Sequence, residues 1–332
     1  MATLKLGLAQ LRPAWGNKAA TTKIVIDAIA EAAGQGIELL AFSETFLSGY
    51  PFWVCRTAGA ARQDDSRQQR AFAQFLEQGV EIDGPEIAAI RQAAGDHHVS
   101  IYLGMNERGA KAGRGTIWCS LVTIESEKGV LGAHRKLMPT HDERLCWGIG
   151  DAAELRAYPF GQFRVGGLNC WENWMPLARN ALYEDGEDVH ISVWPGNAKM
   201  VTHDLAKVVA HEGRVWAASV AGLLSMSEVP ADFEFHKDLI ADGFDLIFEG
   251  GSMIVSPFGE VVAEVPPNQA GIVGFEIDMA SVRRARQDFD AAGHYARPDI
   301  FSVEMRRLRL GGRTGGARAS RGGGSRRPRP RA

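Results

Sequence analysis

The chain of 332 residues has few cysteines, no long apolar run and no regular histidine pattern. Cys55, Cys119, Cys146 and Cys170 lie far apart and include no Cys-x-x-Cys pair, which argues against a zinc site and against a disulfide framework. No stretch reaches the ~18 consecutive apolar residues of a membrane span. The first ten residues lack the basic and apolar regions of a signal peptide. We therefore expect a cytoplasmic protein that does not enter a membrane.

The nine histidines are scattered and include no His-x-x-x-His pattern, so metal-dependent hydrolysis is not expected. Charge is distributed unevenly. From Arg306 onward there are ten arginines and no acid, so the net charge of −3 combines +10 in this tail with −13 in residues 1–305. An acidic body argues against nucleic-acid binding. The Arg/Gly-rich tail, residues 306–332, is expected to be disordered. A passive, solvated tail is preferred over one that contacts RNA or anionic surfaces.

The remaining composition, 45% hydrophobic and 23% charged, is that of a globular protein with a sizeable core. Hydrophobic periodicity predicts strands that alternate with helices early in the chain and a later part richer in strands. The predicted strands include residues 5–10, 37–42, 100–103, 118–124, 129–134, 189–194, 216–224 and 272–277, with a hairpin at 251–265. The predicted helices include residues 18–34, 85–95, 176–182 and 204–212. No linker divides residues 1–305, so a single α/β domain is expected.

The stretch VGGLNCWENWMP, residues 165–176, is the most informative for function. An apolar strand runs into Cys170, and Pro176 then begins a helix. A strand, a sharp turn and a helix can present a nucleophile at the edge of a sheet, where backbone N–H groups face developing negative charge. A helix N-terminus or a nearby cation lowers the pKa of such a thiol. The alternative interpretation is a buried structural cysteine.

Two further polar residues, Glu44 and Lys136, directly follow predicted strands, as Cys170 does. Strand ends on one edge of an α/β sheet converge, so the three side chains could meet. A carboxylate beside a thiol can take its proton, and a lysine beside both can stabilise a thiolate and a charged tetrahedral intermediate. Each also has a structural alternative: Glu44 as a capping or solvated acid, Lys136 as a surface charge.

Three ordered blocks resemble the nitrilase superfamily and, within it, the true nitrilase branch. They are SETF with GYP at residues 43–51, HRKLMPTHDER at 134–144 and CWEN at 170–173. AAGHYARPD at 291–299 also resembles the branch's C-terminal segment. The similarity extends from Leu4 to about Phe301. It implies an α-β-β-α sandwich that pairs into an α-β-β-α-α-β-β-α dimer.

The resemblance also implies the roles of individual residues. Cys170 becomes the nucleophile, Glu44 the general base and Lys136 the electrostatic stabiliser. Glu143 matches a second glutamate that helps to position or activate water, with a structural ion pair to Arg144 as the alternative. The implied reaction converts an organic nitrile to a carboxylic acid and ammonia through a thioimidate and a thioester. It requires no metal and no organic cofactor.

Five residues beside these blocks are candidates for an apolar substrate pocket, although aromatic side chains near a site are often part of the core. They are Tyr50, Trp53, Thr140, Trp171 and Trp194. The chemical class of the preferred nitrile does not follow from them.

Assembly is expected from the resemblance as well. The helices near the site would pair two subunits, and such dimers commonly extend into spirals. Residues 233–240 are a candidate contact for that growth, or alternatively a loop over the mouth of the site. The rival functions are an amidase or a nitrile or cyanide hydratase of the same fold, and a non-catalytic oligomeric binding protein.

Overall fold

The computed structural model describes residues 2–196, 202–243 and 245–309. Its strands are β1 (Thr3–Gln10), β2 (Leu39–Phe42), β3 (Ser100–Arg108), β4 (Ile117–Glu125), β5 (Gly129–Arg135), β6 (Tyr158–Phe160), β7 (Phe163–Asn169), β8 (Val189–Trp194), β9 (Trp216–Ala221), β10 (Leu223–Ser225), β11 (Leu246–Glu249), β12 (Ser252–Val255), β13 (Val261–Val265) and β14 (Gly271–Asp278). Its helices are α1 (Lys18–Gly34), α2 (Trp53–Arg56), α3 (Ser66–Glu77), α4 (Pro85–His97), α5 (Pro176–Glu184), α6 (Thr202–Gly213), α7 (His236–Ala241) and α8 (Met279–Ala285).

Two six-stranded sheets organise these elements. The first has the order β14-β1-β2-β3-β4-β5, and the second has the order β13-β12-β9-β8-β7-β6. In the first sheet β1, β2 and β3 are parallel, and in the second β7, β8 and β9 are parallel. The outer strands pair antiparallel. Because β4 runs against β3 and β5 runs against β4, the end of β5 lies at the same edge as the carboxyl ends of β2 and β3.

The sheets face each other across one apolar layer. Alternate residues of β2 show the arrangement: Leu39 and Ala41 face the layer shared with the second sheet, whereas Leu40 and Phe42 face the helices. This alternation follows from the two-residue repeat of a strand. Helices α1 and α4 cover the outer face of the first sheet, and α5 and α6 cover that of the second. The layers are therefore α-β-β-α, which confirms the predicted fold class.

Local chemistry explains where several elements begin. Asn17 caps α1, its side chain accepting the Ala20 N–H group at 3.0 Å. Pro85 and Pro176 occupy the first turns of α4 and α5, where the missing N–H group costs nothing. Among the described residues, no helix has the length and apolar character needed to cross a membrane.

The predicted strand 216–224 is wrong in one respect, because it divides at Gly222 into β9 and β10, which belong to different sheets. A Cβ atom at Gly222 would lie 2.4 Å from the Pro195 carbonyl oxygen, so the chain turns there where only glycine fits. The sequence analysis also missed α3, which is polar and buries only Ala71 and Phe75. The tail beyond residue 309 lies outside the described residues.

Candidate active site

The structure brings Glu44, Glu143 and Cys170 together. Three atoms, one from each residue, lie within 4.8 Å of one another: two carboxylate oxygens and the thiol sulfur. Glu44 follows β2 of the first sheet, and Cys170 follows β7 of the second. The Glu44 N–H group donates to the Trp194 carbonyl oxygen at 3.2 Å, so the ends of β2 and β8 are joined directly at this edge. The cluster therefore lies where the two sheets meet.

Lys136, which follows β5, lies between the two carboxylates. Its Nζ atom is 2.9 Å from Glu44 Oε1 and 2.7 Å from Glu143 Oε2. The residue is 1% exposed, and Nζ lies 5.3 Å from the centre of the Trp147 ring. Burial acts to lower the pKa of Lys136, but Glu44, Cys170 and Glu143 outweigh it and raise that pKa well above its ordinary value. The amine is therefore a buried ammonium ion at neutral pH.

Glu44 has a pKa suited to proton transfer near neutrality. Burial raises the pKa of this carboxyl from 4.5 to about 7, against the lowering effect of Lys136, and the charge of Glu143 raises it further. The Cys119 thiol donates to Glu44 Oε1 at 3.3 Å. Oε2 is buried without a hydrogen-bond partner among the described residues. One oxygen of Glu44 is thus left for another donor.

Cys170 sits on a strained turn at the end of β7. Its φ angle of +51° is unusual for a residue with a side chain, and it begins the 3₁₀ helix Cys170–Trp174. Burial raises the pKa of the thiol well above its ordinary value; Glu44 raises it further, whereas Lys136 and the Trp171 N–H group lower it. The thiol is therefore protonated at neutral pH, and a base must remove its proton as it reacts.

A buried network holds the shape of this turn. The Asn173 Nδ2 group donates to the Cys170 carbonyl oxygen at 2.8 Å. Asn173 Oδ1 lies 2.8 Å from His190 Nε2 and accepts the Ser192 hydroxyl at 2.8 Å. Sequence reasoning missed Asn173, and its place within the CWEN block is the signal that could have identified it.

The Glu143 carboxylate lies close to the thiol and accepts hydrogen bonds from three donors. It caps its own 3₁₀ helix, His141–Leu145, by accepting the Thr140 N–H group at 2.6 Å. The Tyr50 hydroxyl donates to Glu143 Oε1 at 2.7 Å, and Lys136 holds Oε2. Arg144 donates to the Pro139 carbonyl oxygen. The ion pair of Glu143 is thus with Lys136.

The five candidates for the substrate pocket occupy different environments. Tyr50 touches the cluster through Glu143, and Trp194 shares an apolar cluster with Cys170, its buried Nε1 unpartnered among the described residues. Thr140 caps the helix of Glu143. Trp171 is 51% exposed beside the nucleophile. Trp53 packs edge-on against Trp15, Phe75 and Phe233, which are the contacts of a core residue.

Glu44, Glu143 and Cys170 offer a possible set of metal ligands. The Lys136 ammonium already bonds both carboxylates, so a metal ion bound by them would have to displace a resident positive charge. The arrangement fits a lysine better than a cation from solution. Chemically, it combines a protonated thiol, a carboxylate able to take its proton, and an ammonium ion with a backbone N–H group beside the sulfur.

The profile of the family described as "Carbon-nitrogen hydrolase" matches residues 5–287. The chain belongs to this family, which confirms the resemblance found in the sequence. "Nitrilase 2" from an unknown prokaryotic organism is 35% identical over 304 residues, which cover 91% of this chain and 92% of that protein. The "Bifunctional nitrilase/nitrile hydratase NIT4A" of Nicotiana tabacum is 31% identical, covering 84% of this chain and 79% of that protein.

The fold is shared with solved structures of the superfamily. The CN-hydrolase superfamily protein XC1258 from Xanthomonas campestris, solved with an arsenic adduct in its active site, superposes with a TM-score of 0.66. The match covers 92% of this chain and 100% of that one at 18% identity, so it establishes the fold alone.

Proposed function

We propose that this protein is a nitrilase that hydrolyses an organic nitrile with two waters to a carboxylic acid and ammonia. The observation that carries the proposal is the convergence of the Cys170 thiol with Glu44 and Glu143 within 4.8 Å, with Lys136 bonded to both carboxylates. Relatives named as nitrilases, 30–35% identical over most of the chain, support the choice of a nitrile over other carbon–nitrogen substrates.

In the first half of the reaction, the Cys170 sulfur attacks the nitrile carbon as its proton passes to Glu44. The new carbon–sulfur bond replaces one π bond of the nitrile, and Glu44 returns the proton to the nitrogen to give a thioimidate. A carboxyl with a pKa of about 7 can both accept and return a proton near neutral pH. Lys136 and the Trp171 N–H group stabilise negative charge as it develops.

In the second half, a water adds to the thioimidate carbon, and the tetrahedral intermediate expels ammonia to leave a thioester. A second water then releases the carboxylic acid and restores the thiol. Glu44 and Glu143 each have a carboxylate oxygen within 4.8 Å of the sulfur, so each can orient a water or remove its proton. In this mechanism Glu143 positions water and Tyr50 holds Glu143. The candidates for contact with the substrate or its surroundings remain the same five residues, which are Tyr50, Thr140, Trp171, Trp194 and Trp53.

A panel of aliphatic, aromatic and arylacetic nitriles tests this function. Ammonia and carboxylic acid are measured together with any amide, for the full-length protein and for Cys55→Ser as a control, because Cys55 is an exposed thiol. We expect ammonia in a one-to-one ratio with acid from at least one class. Hydrolysis of amides in the absence of nitrile turnover would identify an amidase instead.

Release of amide is the second candidate outcome, favoured by the name of the tobacco relative, which combines nitrilase with nitrile hydratase. Amide forms if the tetrahedral intermediate loses the sulfur before it loses ammonia. The same panel separates the two activities: a product that is mainly amide would make this protein a hydratase. No turnover of any nitrile or amide would favour a non-catalytic binding protein.

We also propose that residues 1–305 act as one domain and assemble into a homodimer that extends into a spiral. Large apolar side chains exposed around α5 and α6 support a contact there. They are Trp171, Trp174, Met175, Leu177 and Val208. The second candidate contact is residues 233–240, where Ile240 of α7 is exposed. Light scattering of Leu177→Glu and Ile240→Glu tests each surface; an unchanged assembly in both variants would refute these contacts.

The cytoplasm is the proposed location, supported by four free cysteines. We further propose that the Arg/Gly-rich tail, residues 306–332, takes no part in catalysis. A chain that ends at Leu310, and therefore lacks residues 311–332 of this tail, should retain turnover within about twofold of the full chain. A larger loss would assign the tail a catalytic or assembly role, and RNA binding lost with the tail would support the alternative function.

A further inference from the structure

Glu172 carries a buried carboxylate whose donors come from both sheets. His134 Nε2, on β5, lies 3.1 and 3.2 Å from its two oxygens. The backbone N–H groups of Leu137 and Asn169 donate to it at 2.5 and 2.8 Å. Burial acts to raise the pKa of Glu172, but His134 and the two N–H groups outweigh it and lower that pKa below its ordinary value. Glu172 is therefore an ionised acceptor, and His134 Nε2 carries the donated proton.

Each backbone donor is adjacent to a residue of the proposed mechanism. Leu137 directly follows Lys136, and Asn169 directly precedes Cys170. Since β5 belongs to the first sheet and β7 to the second, the carboxylate fastens one sheet to the other immediately beside the ammonium and the thiol. The covalent chain does not connect these segments closely, because 32 residues lie between Lys136 and Asn169.

We propose that Glu172 is a positioning residue that fixes the distance between the Lys136 ammonium and the Cys170 thiol by fastening the end of β5 to the end of β7. This inference deepens the proposed function and rests on it. Glu172 acts through the residues that it holds in place and does not itself contact the reacting atoms.

The role requires a carboxylate rather than an amide. Glu172 Oε1 accepts the Leu137 N–H group, and Oε2 accepts the Asn169 N–H group. A glutamine of the same shape has one oxygen and one NH₂ group, so one of the two backbone donors would face another donor. An unpaired buried N–H group is costly, and the two strand ends should separate to relieve it.

Separation has a predictable electrostatic signature at Glu44. The groups that face Glu44 are Lys136, Glu143, Cys119, Cys170 and Tyr50. Only Lys136 is a cation, and it opposes the effect of burial on the pKa of Glu44. If Lys136 moves away, the pKa of Glu44 rises, and the base becomes protonated at higher pH. The acidic limb of the pH profile of kcat/KM should then shift to higher pH.

Glu172→Gln is compared with Glu228→Gln as a control. Glu228 likewise accepts the backbone N–H group of the residue three positions before it, Ser225, at 2.5 Å. Its other side-chain partners include Ser227 and Arg12, which lie outside the ion cluster. We expect Glu172→Gln to lower kcat by about 10²-fold, as a small misplacement of reacting groups can. KM should stay within about threefold, and the acidic limb should move upward. Glu228→Gln should lower the unfolding temperature without moving that limb.

A second variant and a second readout complete the test. Glu172→Asp keeps the charge but is one methylene shorter, so its acidic limb should shift in the same direction as that of Glu172→Gln; Glu172→Asp also serves if Glu172→Gln does not fold. The alkylation rate of Cys170 by iodoacetamide, followed by peptide mass, needs no nitrile. It should fall in both Glu172 variants, because a more distant Lys136 lowers the pKa of the thiol less.

The inference would be overturned if the acidic limb and the alkylation rate of the Glu172 variants matched those of wild type. Equal shifts in Glu228→Gln would also overturn it. If wild type turns over no nitrile, the proposed function fails, and the alkylation rates alone then decide whether Glu172 sets the spacing of Lys136 and Cys170.

Discussion

The first sheet brings three charged side chains to the site, whereas the second brings an uncharged thiol on a strained turn. Lys136, Glu44 and Glu143 form a buried ion cluster whose members hold one another in place. Cys170 joins them from the opposite sheet, protonated because burial raises the pKa of its thiol. Charge is thus arranged in advance on one side, and the bond to the substrate forms on the other.

This difference explains what must move during the proposed reaction. The proton moves from the Cys170 thiol, which follows a strand of the second sheet, to the Glu44 carboxylate, which follows a strand of the first. Such a proton transfer is efficient only when the two groups lie close together, so the rate of the reaction depends on the spacing of the two sheets. The Glu172 carboxylate and the hydrogen bond from Glu44 N–H to the Trp194 carbonyl oxygen are two contacts that cross between the sheets here.

Loss of the nucleophile should have the largest effect. We expect Cys170→Ala to lower kcat/KM by at least ~10⁴-fold, because no covalent intermediate can form. Cys119→Ser is the matched control, since Cys119 is the buried thiol of the first sheet and also contacts Glu44. It should stay within about tenfold of wild type, because serine can make the same hydrogen bond. Ammonia release measures both variants. Equal losses would mean that the sheets do not divide the chemistry in this way.

Loss of the base should be next. We expect Glu44→Gln to lower kcat/KM by about 10³-fold, within the range for a general base. In wild type, kcat/KM should fall as pH drops through about 7, where Glu44 becomes protonated. A wild-type profile that is flat from pH 5 to pH 8 would contradict the assignment of Glu44.

Glu44→Gln also has a signature in stability. Because folding raises the pKa of Glu44 from 4.5 to about 7, the folded state holds an extra proton between those values, and wild-type stability falls as pH rises through that window. Glutamine does not titrate. The unfolding free energy of Glu44→Gln relative to wild type should therefore increase from pH 5 to pH 8, as measured by urea unfolding. A constant difference would indicate that Glu44 titrates at its ordinary pKa.

Loss of the cation should be somewhat smaller in rate but larger in stability. Lys136→Met removes the ammonium and leaves Glu44 and Glu143 as neighbouring buried acids. We expect kcat to fall by about 10²–10³-fold, as for loss of one electrostatic donor, and the unfolding free energy to fall by about 3–5 kcal/mol. Activity and urea unfolding are measured on the same preparation. A variant as stable as wild type would show that the ion cluster is not held by Lys136.

The smallest effect is expected at Tyr50, whose hydroxyl holds Glu143 from outside the ion cluster. Tyr50→Phe should lower kcat by about tenfold, since a hydrogen bond to a charged group contributes about 1.5–3 kcal/mol. Tyr158→Phe is the control, because its hydroxyl makes a similar bond to Glu154 at 2.8 Å. That variant should match wild-type turnover. If both variants behave alike in the ammonia assay, Tyr50 does not support Glu143 in catalysis.

The sequence predicted well those parts that depend on local pattern. Periodicity and caps located α1 and β8 with the bounds the structure has, and the three polar residues after strands do meet at one edge. Helix α3 escaped notice because its apolar face is narrow, although Asp65 caps it by accepting the Arg67 and Gln68 N–H groups. An Asp before a polar, proline-free stretch was the available signal.

Contacts between distant segments could not be predicted from local sequence pattern. Glu172 belongs to the CWEN block, which indicated only the branch of the family, yet its carboxylate binds His134 and Leu137, which lie 38 and 35 positions away in the sequence. Such pairings depend on how the two sheets stack, and no local preference encodes them. The division of β9 from β10 at Gly222 also depends on a distant segment, because the nearby carbonyl oxygen belongs to Pro195, which follows β8.

Trapping the covalent intermediate tests most directly whether the two sheets meet in a nitrile-hydrolysing site. The protein is mixed with excess nitrile, quenched in acid during turnover and digested for peptide mass analysis. We predict that the acyl or imidoyl mass of the nitrile will be found on Cys170 in wild type and will be absent from Cys170→Ala. Turnover with the adduct on another cysteine, or with no adduct while Cys170→Ala remains active, would contradict the assignment.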